Sequence, residues 1–341
     1  MTETPHHPLA DSLAALGRRL FPGSGEALHL RRLSGGASQE TWAFSFVTQH
    51  GQRPLILRRK PHDRQSQLAA GLETEAVLLR LAHEAGARVP PVFYVLAPED
   101  DCGTGFIMDR LEGETIPRKI LRDDGFAHAR QVLARDCGEA LSIIHRIDPA
   151  RLPDTLRAAP GSVRLAELRN TYAAVGRPNP VFALALRWLG DHMPADPPTL
   201  SLVHGDFRHG NLMIGPDGLV GVLDWELAHL GDPMEDLGWI CVPSWRFGEI
   251  EKPVGGFGQR RHLFAAYEAA GGAPVDPDRV KFWEVFGALQ WGLMCSGMAE
   301  VYRSGADASV ERAMIGRRAS EVEIDLLDYM APLVEDAPYA G

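Results

Sequence analysis

Three oxygen-bearing side chains between residues 202 and 226 have types and a spacing that could do chemistry. Asp206 is followed by Asn211, and Asp224 comes after a further short segment, directly before Trp225 and Glu226. A carboxylate, an amide five positions later and a second carboxylate beyond a hairpin is the arrangement used in kinase-type phosphoryl transfer. The alternative is a polar turn in which Asp and Asn only cap backbone groups.

The residues between Asn211 and Asp224 predict a β-hairpin. Apolar runs flank the tight-turn sequence Gly215-Pro216-Asp217-Gly218, and another β-prone run covers residues 199–203. Antiparallel pairing about this turn sets Asn211 roughly opposite Asp224, with Cβ atoms about 5 Å apart. An amide oxygen and a carboxylate are hard ligands suited to Mg²⁺. We therefore expect Asn211 and Asp224 to bind the metal and Asp206 to accept the proton of an attacking hydroxyl.

The two histidines of the segment raise the alternative of a two-metal phosphoesterase. Such sites need further His and Asp ligands on later strands, and a Gly-Asn-His-Asp or Gly-Asn-His-Glu sequence where this chain has Gly210-Asn211-Leu212. This alternative is therefore disfavoured. We expect His204 to bond nearby backbone and hold the turn, and His209 to be exposed and without a role.

The motifs HGDFRHGN and DWELAHLGDPMEDLGW, with a glycine-rich segment upstream, resemble the aminoglycoside phosphotransferase (APH) family over about residues 28–330. The segments VLDWELAHLGDPMEDLGW, PSWRFGE, PVGGFG and VKFWEVFGALQWG are most similar to the phosphotransferase domains associated with acyl-CoA dehydrogenases. The resemblance implies an α+β, bilobal protein-kinase-like fold. It also implies ATP and Mg²⁺ as cofactors, a small-molecule hydroxyl as phosphate acceptor and a functional link to an acyl-CoA dehydrogenase.

Within that fold we expect a nucleotide-binding lobe over residues 1–108, a hinge at 109–113 and a helical lobe over 114–341. The leucines at positions 9, 13, 16 and 20 predict a short amphipathic helix. Alternating strands follow over residues 29–33, 41–47 and 54–58, and a helix over 72–82. These elements form the predicted antiparallel sheet lobe.

The predicted nucleotide ligands lie on this lobe. Small residues of a glycine-rich turn let backbone N–H groups approach phosphates, although a plain hairpin turn is the alternative; they are Ser34, Gly35, Gly36, Ala37 and Ser38. Arg58 stands where kinases carry a phosphate-binding Lys, with Glu75 as its partner. Arg59 or Lys60 could be the phosphate ligand instead, or the three could be a surface basic cluster. Met108 and Leu111 would border adenine.

Helical periodicity dominates the remainder of the chain. The predicted helices cover residues 127–147, 164–175, 181–192, 260–270, 277–302 and 310–329. Asp276 before a proline is a helix-start signal, and the helix after it is apolar nearly all round, which predicts a central position. We expect Asp232 to cap a helix, Asp236 to be a buried acceptor clamping the catalytic turn, and His145 to brace that turn.

Composition and charge bound the function further. The 341 residues carry a net charge of −10 with Lys and Arg dispersed, so no electrostatic footprint for nucleic acid exists. No uncharged run reaches the roughly 20 apolar residues of a membrane span, and the first twenty residues lack the apolar core of a signal peptide. Four cysteines scattered singly suit reduced thiols, which predicts a cytoplasmic protein.

The sequence leaves several classes of phosphate acceptor open. Arg208 and Arg246 would favour an anionic or CoA-linked hydroxy compound such as a hydroxyacyl-CoA, unless each only pairs with a neighbouring Glu. Glu226 either binds metal through water or bonds the backbone, and it could contact the acceptor. An aminoglycoside or choline-like alcohol remains an alternative acceptor. A nucleotide-binding pseudokinase without turnover is the alternative from another class.

Overall fold

The computed structural model describes residues 8–35, 39–60 and 71–331. The chain forms two compact units. Unit 1 contains Met1–Glu112 with two later segments, Arg151–Leu156 and Val220–Leu227, and unit 2 contains the rest of the chain. The limits of the lobes and of the hinge drawn from the sequence stay a prediction.

Unit 1 is built on a five-stranded antiparallel sheet with the order β1-β2-β3-β5-β4. Its strands are β1 (Ala27–Gly35), β2 (Glu40–Thr48), β3 (Gly51–Lys60), β4 (Val92–Val95) and β5 (Thr104–Asp109). The three strands predicted from alternation are confirmed, each extended by a few residues. Since β2 and β3 pair without a break from Glu40↔Arg59 to Thr48↔Gly51, their register fixes which side chains of β3 share a face.

Two helices cover apolar surface of this sheet. Helix α1 (Pro8–Leu20) buries Leu9, Leu13 and Leu16 in a core shared with aromatic residues of β2, as its leucine spacing predicted. Helix α2 (Leu72–Glu84) packs on β4 and β5. Its first turn carries Glu75, which is fully buried. A carboxylate in that position needs a cation, because burial without a partner is costly.

Unit 2 is mainly helical. Its helices are α3 (Pro117–Arg122), α4 (Ala127–His145), α5 (Gly161–Val175), α6 (Pro180–Asp191), α7 (Met234–Trp239), α8 (Arg260–Ala269), α9 (Pro277–Arg303), α10 (Val310–Gly316) and α11 (Ala319–Met330). Helix α9 begins as predicted, with the Asp276 carboxylate accepting from the Asp278 and Arg279 N–H groups. It packs against α5, α6, α7, α10 and α11, which confirms its central position.

The single helix predicted over residues 310–329 is wrong. The structure has two helices there, α10 and α11, separated at Arg317 and Arg318. Gly316 closes α10 against Ala299 of α9, where an added Cβ would lie 2.8 Å from the Ala299 Cβ. Contact at this distance requires glycine. At the junction the Arg318 N–H donates to the Ile315 carbonyl, three residues back, so the hydrogen bonding departs from the α-helical pattern there. Periodicity could not show the break, because the apolar spacing continues across it.

Short strands carry the segment that holds the predicted site. β6 (Ser201–Val203) pairs antiparallel with β9 (His229–Gly231), from Ser201↔Gly231 to Val203↔His229. β7 (Leu212–Gly215) and β8 (Gly218–Val222) form a second two-stranded sheet. The predicted hairpin about residues 215–218 is therefore confirmed. The antiparallel sheet of unit 1 and the helices of unit 2 also confirm the predicted α+β class. None of the described helices combines the length and apolarity needed to cross a membrane.

A buried ion pair joins α8 to α9. The Arg260 guanidinium donates to both Glu284 carboxylate oxygens, at 2.8 and 2.7 Å, and both side chains are buried. Removing Glu284 leaves the Arg260 charge buried without its partner. Glu284→Ala should therefore lower the free energy of unfolding by about 3–5 kcal/mol. Glu139→Ala, which removes an exposed carboxylate facing Arg135, should lower it by less than about 1 kcal/mol. Chemical denaturation measures both, and equal losses would contradict this assignment.

Candidate active site

The turn between β6 and β7 is shaped by two glycines in left-handed conformations. Gly205 has φ of 78° and Gly210 has φ of 121°, values that side chains with a Cβ rarely adopt. Between them Phe207 is fully buried and anchors the turn in unit 2. These constraints place Asp206 and Asn211 on one short loop.

A buried carboxylate holds the start of this turn. Asp236, on α7, accepts the His204 N–H at 2.8 Å and the Gly205 N–H at 2.9 Å. His145 Nε2 lies 3.0 Å from the same carboxylate, and its Nδ1 lies 3.0 Å from the Tyr267 hydroxyl. Hydrogen bonds to a carboxylate are stronger than neutral ones, so the backbone entering Asp206 is rigidly positioned.

His204 contributes from inside the turn. Its side chain is fully buried, and its Nδ1 accepts the Asp206 N–H at 3.2 Å. The nitrogen that accepts is unprotonated in this arrangement. His204 thus contacts the backbone of the turn, in the place where the sequence predicted a structural residue.

The Asp206 carboxylate is held by three side chains. Oδ1 accepts from Arg208 Nε at 3.0 Å and from Trp239 Nε1 at 2.9 Å. Oδ2 accepts from the Asn211 amide nitrogen at 2.6 Å, which also donates to the Asp206 backbone carbonyl. Asp206 is thereby fixed in orientation. No sequence motif marks Trp239 as a site residue, and only its position one helical turn after Asp236 could have suggested a role.

Asn211 has its amide orientation set by these contacts. Because its nitrogen donates to Asp206, its oxygen is the atom that can be offered to a cation. A neutral amide oxygen is a hard ligand of the kind that Mg²⁺ accepts. The residue therefore fits the metal-binding role predicted for it.

Asp224 belongs to unit 1 and is the second predicted metal ligand. It has φ of 65°, an uncommon left-handed conformation for a residue other than glycine. Its Oδ1 accepts two hydrogen bonds from the Arg58 guanidinium, both at 3.1 Å, and its side chain keeps 36% exposure. A strained backbone at an exposed carboxylate is a feature found at functional sites.

Arg58 lies within a cluster of acidic groups. Besides Asp224 it contacts Glu75 at 3.3 Å and donates to the Gln39 side-chain oxygen at 3.1 Å. Burial lowers the pKa of Arg58, but the Glu75 and Asp224 carboxylates outweigh it and hold the pKa above its usual value. Burial raises the pKa of Glu75 to about 7, against the opposing effect of Arg58. Glu226 adds a further negative charge that acts on both residues.

The neighbouring basic residues differ in their surroundings. Arg59 donates to a Glu40 carboxylate oxygen at 3.0 Å and to the Cys102 carbonyl at 3.2 Å. Its guanidinium therefore contacts residues in and next to the sheet. Lys60 ends β3. Arg58 is thus the member of the group that contacts other predicted site residues. A guanidinium fixed in a planar fork can bind phosphate oxygens bidentately.

The predicted phosphate turn is only partly described. Ser34 and Gly35 end β1, whereas Gly36, Ala37 and Ser38 lie outside the described residues. The predicted adenine neighbours are both placed in unit 1. Met108 is buried on β5, and Leu111 packs where Gly221 lacks a side chain.

The surroundings of His209, Arg208 and Arg246 bear on the predictions made for them. His209, expected to be exposed, is fully buried, which is a correction. Its Nδ1 lies 2.7 Å from the Gly255 carbonyl, the rings of Phe247 and Phe257 surround it, and burial lowers its pKa to about 4. Arg208 pairs with Asp206, and Arg246 donates to the Cys241 carbonyl. Their guanidinium groups have protein acceptors.

The contacts of Asp236 generate a direct test. Asp236→Asn places an NH₂ group against backbone donors, so we expect a loss of about 2–4 kcal/mol in the free energy of unfolding. Asp217→Asn, the same change at an exposed position of the β7–β8 turn, should alter it by less than about 0.5 kcal/mol. Thermal and chemical unfolding measure both. Equal stability of the two variants would show that Asp236 does not hold the turn.

Comparison with known proteins identifies the group to which this arrangement belongs. A probable acyl-CoA dehydrogenase IBR3 from Arabidopsis thaliana is 25% identical over 339 residues, covering 91% of this chain and 41% of that protein. This chain thus spans less than half the length of that relative.

Solved structures share the fold. A Ralstonia eutropha protein provisionally assigned as an aminoglycoside phosphotransferase gives a TM-score of 0.73 at 21% identity, covering 94% of this chain and 97% of the other. A thermostable mutant of the aminoglycoside phosphotransferase APH(4)-Ia, in complex with ADP and hygromycin B, gives 0.61 at 17% identity, covering 94% and 100%. The predicted protein-kinase-like fold is therefore confirmed.

Residues 29–283 match the APH phosphotransferase enzyme family. That match covers most of the chain, from within β1 to the start of α9. The chain therefore belongs to the APH phosphotransferase enzyme family.

Proposed function

We propose that this phosphotransferase moves the γ-phosphoryl group of ATP to a hydroxyl group of a small molecule, with Asp206 as the catalytic base and Mg²⁺ as the metal. The observation that carries the proposal is the fixed Asp206 carboxylate, which three side chains orient on a turn that Asp236 holds. Phosphoryl transfer requires positioning and charge neutralisation more than strong base chemistry. A carboxylate held in this way fits that requirement.

Asn211 and Asp224 are the residues we assign to Mg²⁺. Both offer oxygen atoms, and the Asn211 amide is oriented by its bond to Asp206. When bound, the ion would neutralise charge on the phosphate oxygens. Asp224 is already paired with Arg58, so a cation that can bind phosphate oxygens lies next to the proposed metal ligand.

Arg58 and the glycine-rich turn are the proposed nucleotide contacts. Glu75 keeps the guanidinium in place from the buried side, as the helix Glu of kinases does for its Lys. Backbone N–H groups of Ser34 to Ser38 would approach the phosphates, and Met108 and Leu111 would border the adenine. Arg retains its charge at every physiological pH, so the replacement of Lys preserves the role.

In the reaction, Asp206 accepts the proton of the acceptor hydroxyl. The hydroxyl oxygen forms a bond to the γ-phosphorus while the bond between that phosphorus and the ADP oxygen breaks. The products are a phosphomonoester and ADP. Arg208 and Trp239 hold the Asp206 carboxylate in one orientation, so it samples fewer unproductive orientations before the transfer.

We further propose a hydroxyacyl-CoA or a related anionic hydroxy compound as acceptor, in a cytoplasmic enzyme linked functionally to an acyl-CoA dehydrogenase. The support is the similarity to proteins named as acyl-CoA dehydrogenases. Arg208 and Arg246 no longer support this choice, because protein groups accept their hydrogen bonds. Glu226 stays a candidate acceptor contact through its position beside Asp224.

Substitution of the proposed base tests the reaction. Asp206→Ala should lower kcat by roughly 10²- to 10⁴-fold, the range for loss of a positioned base, with nucleotide affinity little changed. Asp217→Ala, at the exposed β7–β8 turn, should retain wild-type turnover. Steady-state kinetics and nucleotide titration provide the two readouts. Near-normal turnover by Asp206→Ala would remove this residue from the role.

A product screen tests the acceptor. Purified enzyme with ATP and Mg²⁺ is incubated with hydroxyacyl-CoAs, aminoglycosides, choline-like alcohols and sugars, and mass spectrometry follows the gain of about 80 Da per phosphoryl group. We expect the gain with hydroxyacyl-CoAs. A gain with aminoglycosides or choline-like alcohols alone would replace the proposed acceptor, and no gain with any compound would favour a non-catalytic nucleotide-binding protein.

A further inference from the structure

We propose that Trp239 is a positioning residue for Asp206, a role that rests on the proposed function of Asp206 as the base. The Trp239 indole is 5% exposed, and its N–H donates to Asp206 Oδ1 at 2.9 Å. An indole N–H is a donor only and carries no charge. It therefore fixes the orientation of the carboxylate without cancelling its negative charge.

Two residues of α7, one helical turn apart, fix the positions of the Asp206 backbone and of its side chain. Asp236 accepts the N–H groups that lead into Asp206, and Trp239, three residues later on the same helix, holds its carboxylate. Residues three apart lie on the same face of a helix. Helix α7 therefore supports both the backbone that leads into Asp206 and the Asp206 carboxylate.

Helix α9 holds Trp239 against displacement. Gly287 of α9 faces the indole, and a Cβ there would lie 2.8 Å from Cε3 of Trp239. Gly238, the residue before Trp239, is equally close to α9, with an added Cβ 2.7 Å from the Trp283 Cβ. These glycines let α7 and α9 pack at short distance. The indole has no room for another orientation on that side.

A second indole, Trp245, packs against both Trp239 and Arg208. The Trp245 ring lies 5.4 Å from the Trp239 ring, and the Arg208 guanidinium lies 4.9 Å from the Trp245 ring. Arg208 Nε donates to the same Asp206 oxygen as Trp239. Trp245 thus contacts both donors to Oδ1, so the two indoles and the arginine form one support for a single oxygen atom.

The matched control lies on the same row of indoles. The Trp291 ring is 4.9 Å from the Trp245 ring, yet its buried Nε1 has no hydrogen-bond partner among the described residues. Trp→Phe removes an N–H at either position while keeping an aromatic ring. The comparison between Trp239→Phe and Trp291→Phe therefore isolates the hydrogen bond to Asp206 from the general effect of losing an indole.

Steady-state kinetics of the full chain, with ATP, Mg²⁺ and the acceptor found by the product screen, provide the first test. Trp239→Phe should lower kcat by about tenfold or more, because the base is no longer held in its productive orientation. The KM values for ATP and acceptor should change by less than about twofold, since transition-state positioning rather than ground-state binding is lost. Trp291→Phe should match the wild type, and thermal unfolding checks that both variants fold.

A double-mutant cycle separates positioning from a merely structural role. In the Asp206→Ala background, Trp239→Phe should cause no further loss of kcat, because the group that it positions is absent. The same fold loss in both backgrounds would overturn the proposal. Wild-type kcat in Trp239→Phe would overturn it as well.

A spectroscopic test does not depend on turnover. In ¹⁵N-labelled protein, the Trp239 indole N–H resonance, assigned by its loss in Trp239→Phe, should shift in Asp206→Ala, and the Trp291 indole resonance should stay in place. An unmoved Trp239 resonance would refute the contact even if the enzyme transfers phosphate. If the resonance shifts but no acceptor is phosphorylated, the contact stands and the proposed function fails.

Discussion

The buried carboxylate of Asp236 is the constraint on which the candidate site depends. A turn that leaves a strand exposes N–H groups that need acceptors, and in the interior of unit 2 no solvent supplies them. Asp236 takes two of these N–H groups and is itself contacted by His145. Asp206 directly follows Gly205, so the hydrogen bonds that hold the backbone of the turn also hold the proposed base. Gly205 and Gly210 allow the left-handed backbone conformations of the turn. The Asp236 carboxylate stabilises this conformation through its hydrogen bonds.

Charge in unit 1 is arranged by the same logic. Arg58 lies between a fully buried carboxylate, Glu75, and a partly exposed one, Asp224. Burial of Glu75 would be unfavourable without this cation, and burial raises the pKa of Glu75 to about 7 against the opposing effect of Arg58. Arg58 therefore connects the interior of the lobe to the carboxylate we assign to the metal. The guanidinium can span both because it presents several donors in one plane.

Local sequence signals specified much of this molecule, and long-range contacts specified the remainder. The hairpin at 215–218 and the cap at Asp276 follow from turn chemistry and capping, which can be recognised in short stretches of sequence. The Arg58–Glu75 pair was predicted from the resemblance to the kinase fold, and the structure contains it. His209 was misjudged because its burial depends on Phe247 and Phe257, which lie far along the chain. Trp239 was missed for the same reason: its partner, Asp206, is 33 residues away. The break between α10 and α11 lies at Arg317 and Arg318, and the apolar periodicity gives no sign of it.

We propose that Asp206, Asn211 and Asp224 act on one magnesium-bound triphosphate. A crystal structure of the protein with Mg²⁺ and a non-hydrolysable ATP analogue would test this proposal. We expect the Asn211 amide oxygen and an Asp224 carboxylate oxygen at about 2.0–2.1 Å from the ion, with the Asp206 carboxylate facing the γ-phosphate. Metal bound by other residues, or an Asp206 side chain turned towards a different cavity, would contradict it.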